Sequence, residues 1–81
     1  MTAPVYPPAA QRDNIEGTTH LSIKVAADGT VASATVSKSS GSRLLDQEAL
    51  QAVKTWQFQP ASTGGKAIPS VVNAPVIFRL Q

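Results

Sequence analysis

The sequence predicts a small α+β domain of order β-β-α-β: a three-stranded antiparallel or mixed sheet on one main helix, with a short N-terminal helical turn. Three observations carry this. Residues 18–25 alternate, with Leu21, Ile23 and Val25 on one side and His20, Ser22 and Lys24 on the other, which is the period of a half-buried strand. Ala49, Ala52, Val53 and Trp56 fall at i, i+3, i+4 and i+7, one apolar stripe along a helix. Residues 70–80 return to period two, with Val72, Ala74, Val76, Phe78 and Leu80 on a common face.

The elements follow in order. Residues 1–10, MTAPVYPPAA, hold three prolines and are expected to run extended as a proline-rich lead, with residues 11–81 forming the domain. A helical turn is expected within residues 9–14. After the first strand, Asp28-Gly29 supplies a turn that tolerates positive φ. Residues 30–38 are the return strand. Its apolar residues Val31, Ala34 and Val36 do not fit one strict alternation, which predicts a bulge near Ala32-Ser33. The helix is expected from Leu45 to about Trp56, with Asp46 as N-cap and Leu45 and Leu50 as a hydrophobic staple. Pro60 prevents its continuation. Residues 62–66, STGGK, read as a turn; the spacing of a phosphate-binding loop is absent.

Length and composition narrow the function classes. A chain of 81 residues is one domain, and one that buries only about 60–65% of its unfolded surface. The net charge is +2. The basic residues are scattered and not interleaved with aromatics, which argues against nucleic-acid binding. There is no cysteine, hence no disulfide framework and no thiolate metal site. No apolar run approaches the roughly 20 residues of a membrane span, and the opening residues have no signal-peptide character. Met1 is taken as the start codon of an excised piece, with any membrane anchor outside it.

Catalysis is not expected, and neither are a cofactor or a metal. His20 is the single histidine and falls on the polar side of a strand. Ser22, His20 and Asp28 can be combined as a triad on paper. Ser22 and His20 are i, i+2 neighbours on an open face, without the pocket or strained turn that activates a nucleophile. The five carboxylates sit where turns and caps use them, and Ser39-Ser40-Gly41 reads as a turn before the helix.

The last strand contains Pro75. Proline donates no ladder hydrogen bond and belongs on edge strands or at bulges. With Pro75 facing outward, the backbone groups of Asn73, Ile77 and Arg79 face outward too, free to pair with an incoming strand.

The ordered set Tyr6-Pro7, Ile15-Glu16-Gly17, Leu21-x-Ile23-x-Val25, Asp28-Gly29-x-Val31, Ser39-Ser40-Gly41, Leu45-Asp46, Ala49-Leu50, Ala52-Val53, Trp56-x-Phe58-x-Pro60-Ala61 and Phe78-x-Leu80 resembles the C-terminal domain of the TonB energy transducers over residues 4–80. The resemblance implies a periplasmic domain of an inner-membrane-anchored protein. Such a protein works with an ExbB/ExbD-type motor through regions outside this sequence. It grips the TonB box, a short peptide of a TonB-dependent outer-membrane transporter, and drives uptake of iron-siderophores or other nutrients. It also implies the sheet order second, first, third strand, with the peptide adding to the third. The partner-binding residues are then Tyr6, Pro7, Val71, Val72, Asn73, Val76, Ile77, Phe78, Arg79 and Leu80. Homodimers through edge strands are a further expectation. Two departures stand out. The residues before Tyr6 lack the glutamine of the best-known members, and Pro75 removes one donor from the docking strand. The alternatives are a TolA-like domain, against which the absence of cysteine counts, a TonB-like module of an envelope or signalling protein, and a purely structural or dimerising domain.

Overall fold

The computed structural model describes residues 4–80. Residues 1–3, where the expected lead begins, and Gln81, the expected end of the domain, lie outside the described residues. The elements are α1 (Pro8–Arg12), β1 (Gly17–Val25), β2 (Val31–Lys38), α2 (Arg43–Val53), β3 (Ala61–Thr63), β4 (Lys66–Ile68) and β5 (Ser70–Phe78). The main sheet has the order β2-β1-β5, antiparallel throughout. β2 and β5 therefore run parallel to each other on either side of β1, and α2 lies on the connection between them. The core joins Leu21, Ile23 and Val25 of β1 to Val76 and Phe78 of β5, Leu45, Ala49 and Val53 of α2, and Ala10 of α1. Both helices thus cover one face of the sheet.

The expected bulge is present. Lys24 pairs with Ser33 and Val25 with Val31, leaving Ala32 as the extra residue. A second shift leaves Ser37 extra between the pairs His20–Lys38 and Leu21–Val36. These insertions explain how Val31, Ala34 and Val36 all meet the core despite their spacing.

Three local expectations are corrected, and the expected STGGK turn gains flanking strands. Of the lead, residues 4–7 lie outside regular structure, and Pro8 opens a helix, because a proline at the first helical position lacks only an N–H that would be unsatisfied there anyway. α1 closes with Asn14 at φ 56°, the Asn14 N–H on the Gln11 carbonyl (3.2 Å) and the Ile15 N–H on the Ala10 carbonyl (2.8 Å), a Schellman ending. Next, α2 starts two residues before Leu45. Its N-cap is Ser42, whose hydroxyl accepts from the Leu45 N–H at 3.5 Å. Asp46 instead sits inside the first turn, so Leu45 and Leu50 do not occupy staple positions. The helix also ends at Val53, where the Thr55 and Trp56 N–H groups turn onto the Ala52 and Val53 carbonyls. Finally, the STGGK turn is the tip of a separate hairpin, β3–β4, with Gly64 and Gly65 at φ 58° and 79°. Two consecutive positive-φ residues match the twist a two-residue hairpin needs.

The Trp56-x-Phe58 segment closes over the β1–β2 turn. The Phe58 N–H donates to the Gly29 carbonyl (2.9 Å) and the Gln57 amide to the Asp28 carbonyl (3.0 Å). Gly29 has φ 90°, and a Cβ there would collide with the Phe58 carbonyl.

Candidate functional site

β5 is an edge strand, paired with β1 on one side only. Its nine pairs with β1 run from Gly17–Phe78 to Val25–Ser70 without a register break, straight through His20–Pro75. Two hydrogen bonds fix which backbone groups of β5 face β1. The His20 carbonyl accepts from Ser37 Oγ of β2 at 3.1 Å, so the His20 backbone turns toward β2, and the pair His20–Pro75 exchanges no ladder bonds. At the other end, the Leu80 N–H donates to Glu16 Oε2 beside the start of β1, at 2.7 Å. Both observations give the even-numbered residues of β5 to the ladder. Val71, Asn73, Pro75 and Ile77 then present their backbone groups to the open side, and the missing N–H of Pro75 costs the sheet nothing.

Side chains follow the same parity. Val76 and Phe78 are buried, Val72, Ala74 and Leu80 are half-buried, and Val71, Asn73, Pro75, Ile77 and Arg79 are exposed. The expected partner-binding set therefore divides. Val71, Asn73, Ile77 and Arg79 expose their side chains along or just beyond β5. Val72, Val76 and Phe78 turn theirs to the core and support the strand from behind, and Leu80, half-buried beyond β5, lines the depression at its end. An open depression of about 570 Å³ at the end of β5 brings Ile77, Phe78, Arg79 and Leu80 together with Glu16 and Thr18.

Tyr6 and Pro7 stand differently. The Tyr6 ring meets Phe78 edge-on, with centroids 5.5 Å apart at 85°, and its hydroxyl donates to the Ile15 carbonyl. Burial first, and then the Glu16 carboxylate, raise the Tyr6 phenol above its ordinary value, which keeps it a donor. Tyr6 thus braces the back of β5. Pro7 borders a different depression, of about 520 Å³, with Leu44, Glu48 and Leu50 of α2. The structure does not bring it to the open edge.

Sequence reasoning missed two supports. One is the Glu16 clip on Leu80. The other is Asp46, which accepts from Thr19 Oγ1 (2.7 Å), the Ser40 N–H (3.0 Å) and Ser40 Oγ (2.8 Å) on one oxygen and from Ser39 Oγ on the other. Burial opposes its ionisation, but the bonds from Ser39, Ser40 and Thr19 outweigh that and lower it to about 2. The serines before an acidic residue were the available signal; Thr19, 27 residues away, carried none. The paper triad does not assemble into a pocket. His20 and Ser22 stand on the uncovered face of β1, and Asp28 is held in the turn by the Thr30 N–H (3.0 Å) and hydroxyl (2.6 Å). Among the described residues, no group of three or more His, Cys, Asp or Glu is placed to hold a metal ion.

The class of fold is a small antiparallel sheet, covered by helices on one face and ending in a bare, proline-containing edge strand. Comparison with known proteins gives its family. The pattern described as Gram-negative bacterial TonB protein C-terminal matches residues 2–80. Protein tonB2 of Pseudomonas aeruginosa is 46% identical over 79 residues, 98% of this chain and 29% of that protein. Protein TonB of Xanthomonas campestris pv. campestris (strain B100) is 39% identical over 81 residues, all of this chain and 36% of that one. The solution NMR structure of the Pseudomonas aeruginosa TonB CTD superimposes with a TM-score of 0.83 at 33% identity, covering all of this chain and 82% of that one. The chain belongs to the TonB C-terminal family, and it spans about a third of the length of these curated relatives.

Proposed function

We propose that this domain captures the TonB box of an outer-membrane transporter by strand addition to β5 and transmits motor-derived force to it for nutrient uptake. In this reading it is a binding module and not an enzyme. It works in the periplasm as the C-terminal part of an inner-membrane-anchored protein, and the ExbB/ExbD-type motor acts through regions outside this sequence. The proline-rich residues before α1 are the end of a lead, and the folded domain follows. The observation that carries the reading is the parity of β5. The outward backbone of Val71, Asn73, Ile77 and Arg79 offers donors and acceptors, Pro75 offers an acceptor alone, and a continuous ladder behind them holds the strand straight. Self-pairing of two such edges is the corresponding route to a homodimer.

The energetics suit reversible capture. About five backbone bonds at roughly 0.5–1.5 kcal/mol each oppose an association cost of about 4–15 kcal/mol, so side-chain contacts from Val71, Ile77 and Arg79 are needed as well. A peptide pulled along β5 loads its bonds together in shear, and one pulled across β5 opens them singly. The test is an NMR titration with peptides from transporter N-termini. Shifts centred on residues 70–80 are expected; shifts confined elsewhere contradict the reading.

A further inference from the structure

Beyond the strand edge, the uncovered face of the sheet carries charge of one sign. The charges are those of two exposed lysines, Lys24 of β1 and Lys38 of β2, the latter opposite His20 in the ladder. The chain has five Asp and Glu, and the structure accounts for all of them off this face. Asp13 follows α1, where it pairs with Arg12 at 3.5 Å. Glu16 is clipped to the Leu80 N–H. Asp28 is held in the β1–β2 turn, Asp46 in the serine network, and Glu48 lies on α2. Among the described residues, the two lysines of the face therefore have no acidic partner. Between them stand small polar residues, Ser22 beside Thr35 and Asn73. At the margin, Val71 and Ile77 are 62% and 58% exposed, and an apolar depression of about 380 Å³ opens between Ala26, Ala32, Pro69 and Val71.

We infer that this sheet face is a second docking surface, for an acidic protein surface. Charge complementarity sets the sign of the partner and steers its approach. The mixture of hydroxyl and amide groups with a few apolar side chains matches a protein interface, where hydrogen bonds surround apolar contacts. Lipid-headgroup binding relies on clusters of about 4–8 basic residues, and single-stranded nucleic acid on stacking platforms of Phe, Tyr and Trp; the face supplies two lysines and none of those three residues. The test is an NMR titration of the 81-residue chain with a short poly-glutamate peptide, with phosphatidylglycerol vesicles and single-stranded DNA as separate arms. With poly-glutamate, shifts are expected at Lys24, Thr35 and Lys38, on β1 and β2 and away from the open side of β5. The K24Q/K38Q variant should weaken binding about fivefold, the effect of losing two exposed ion pairs, and K54Q/K66Q should leave it unchanged. All four lysines are exposed, so the variants keep the fold. Shifts confined to residues 70–80, equal weakening by both variants, or tighter binding of vesicles or DNA at the same residues would each overturn the inference.

Discussion

At the scale of single residues, Asp46 is where the polar order of the domain converges. Its carboxylate ties the first turn of α2 to Ser39 and Ser40 at the end of β2 and to Thr19 in β1. Thr19 is fully buried, so removing its acceptor leaves a hydroxyl without water or partner. Asp46→Ala is expected to destabilise the domain by about 1–3 kcal/mol or somewhat more, since a buried donor is stranded and charge-assisted bonds are lost; urea unfolding measures it. The pH dependence has a definite sign. The folded-state value of Asp46 is about 2, below its ordinary 3.8. Its contribution is therefore complete above the unfolded-state value and is lost as pH falls from about 4 through 2. The urea midpoint of the wild type should drop more steeply over that interval than that of Asp46→Ala. Parallel curves would show that the charge of Asp46 is not what its neighbours stabilise.

At the scale of elements, parity in β5 makes neighbouring residues respond oppositely to the same change. Ile77 sends its N–H to the open side and its side chain to solvent; Val76 sends its N–H to β1 and its side chain to the core. Ile77→Pro should change stability by less than about 1 kcal/mol while weakening transporter-peptide binding. Val76→Pro should cost about 3 kcal/mol or more, through the lost ladder bond and core packing. Thermal unfolding and peptide titration of the two variants decide it, and equal destabilisation would refute the assigned parity. The same reasoning explains why Pro75 is tolerated in the middle of a nine-residue strand. The β1–β2 turn shows another coupling between elements. The residues after α2 seal that turn through Gly29 and Asp28, so the segment that terminates the helix also fixes the hairpin.

At the scale of the whole molecule, protection is graded from β1 outward. β1 is paired on both sides and contributes Leu21, Ile23 and Val25 to the core, whereas the β3–β4 hairpin buries no residue. Amide exchange should be slowest in residues 19–25 and fast throughout residues 61–68, because local opening is easiest where little apolar surface is lost. Comparable protection in both would mean that the hairpin is part of the cooperative core. Much of this fold was legible in the sequence. The alternation of residues 18–25 and 70–80, the helical stripe of Ala49, Ala52 and Val53, the Asp28-Gly29 turn and the bulge at Ala32 all express spacing, which each segment carries within itself. The edge position of Pro75 was legible for the same reason, since a missing N–H is a property of the residue. What required the tertiary structure were choices between competing local partners. Ser42 and not Asp46 caps α2, because the Asp46 carboxylate is engaged by Thr19 from another strand and by the serines before the helix. Tyr6 braces Phe78, 72 positions away, and Pro7 turns to α2. Periodicity determines which face a side chain takes; which distant group then meets it depends on how the elements pack, and the sequence carries no local mark of that.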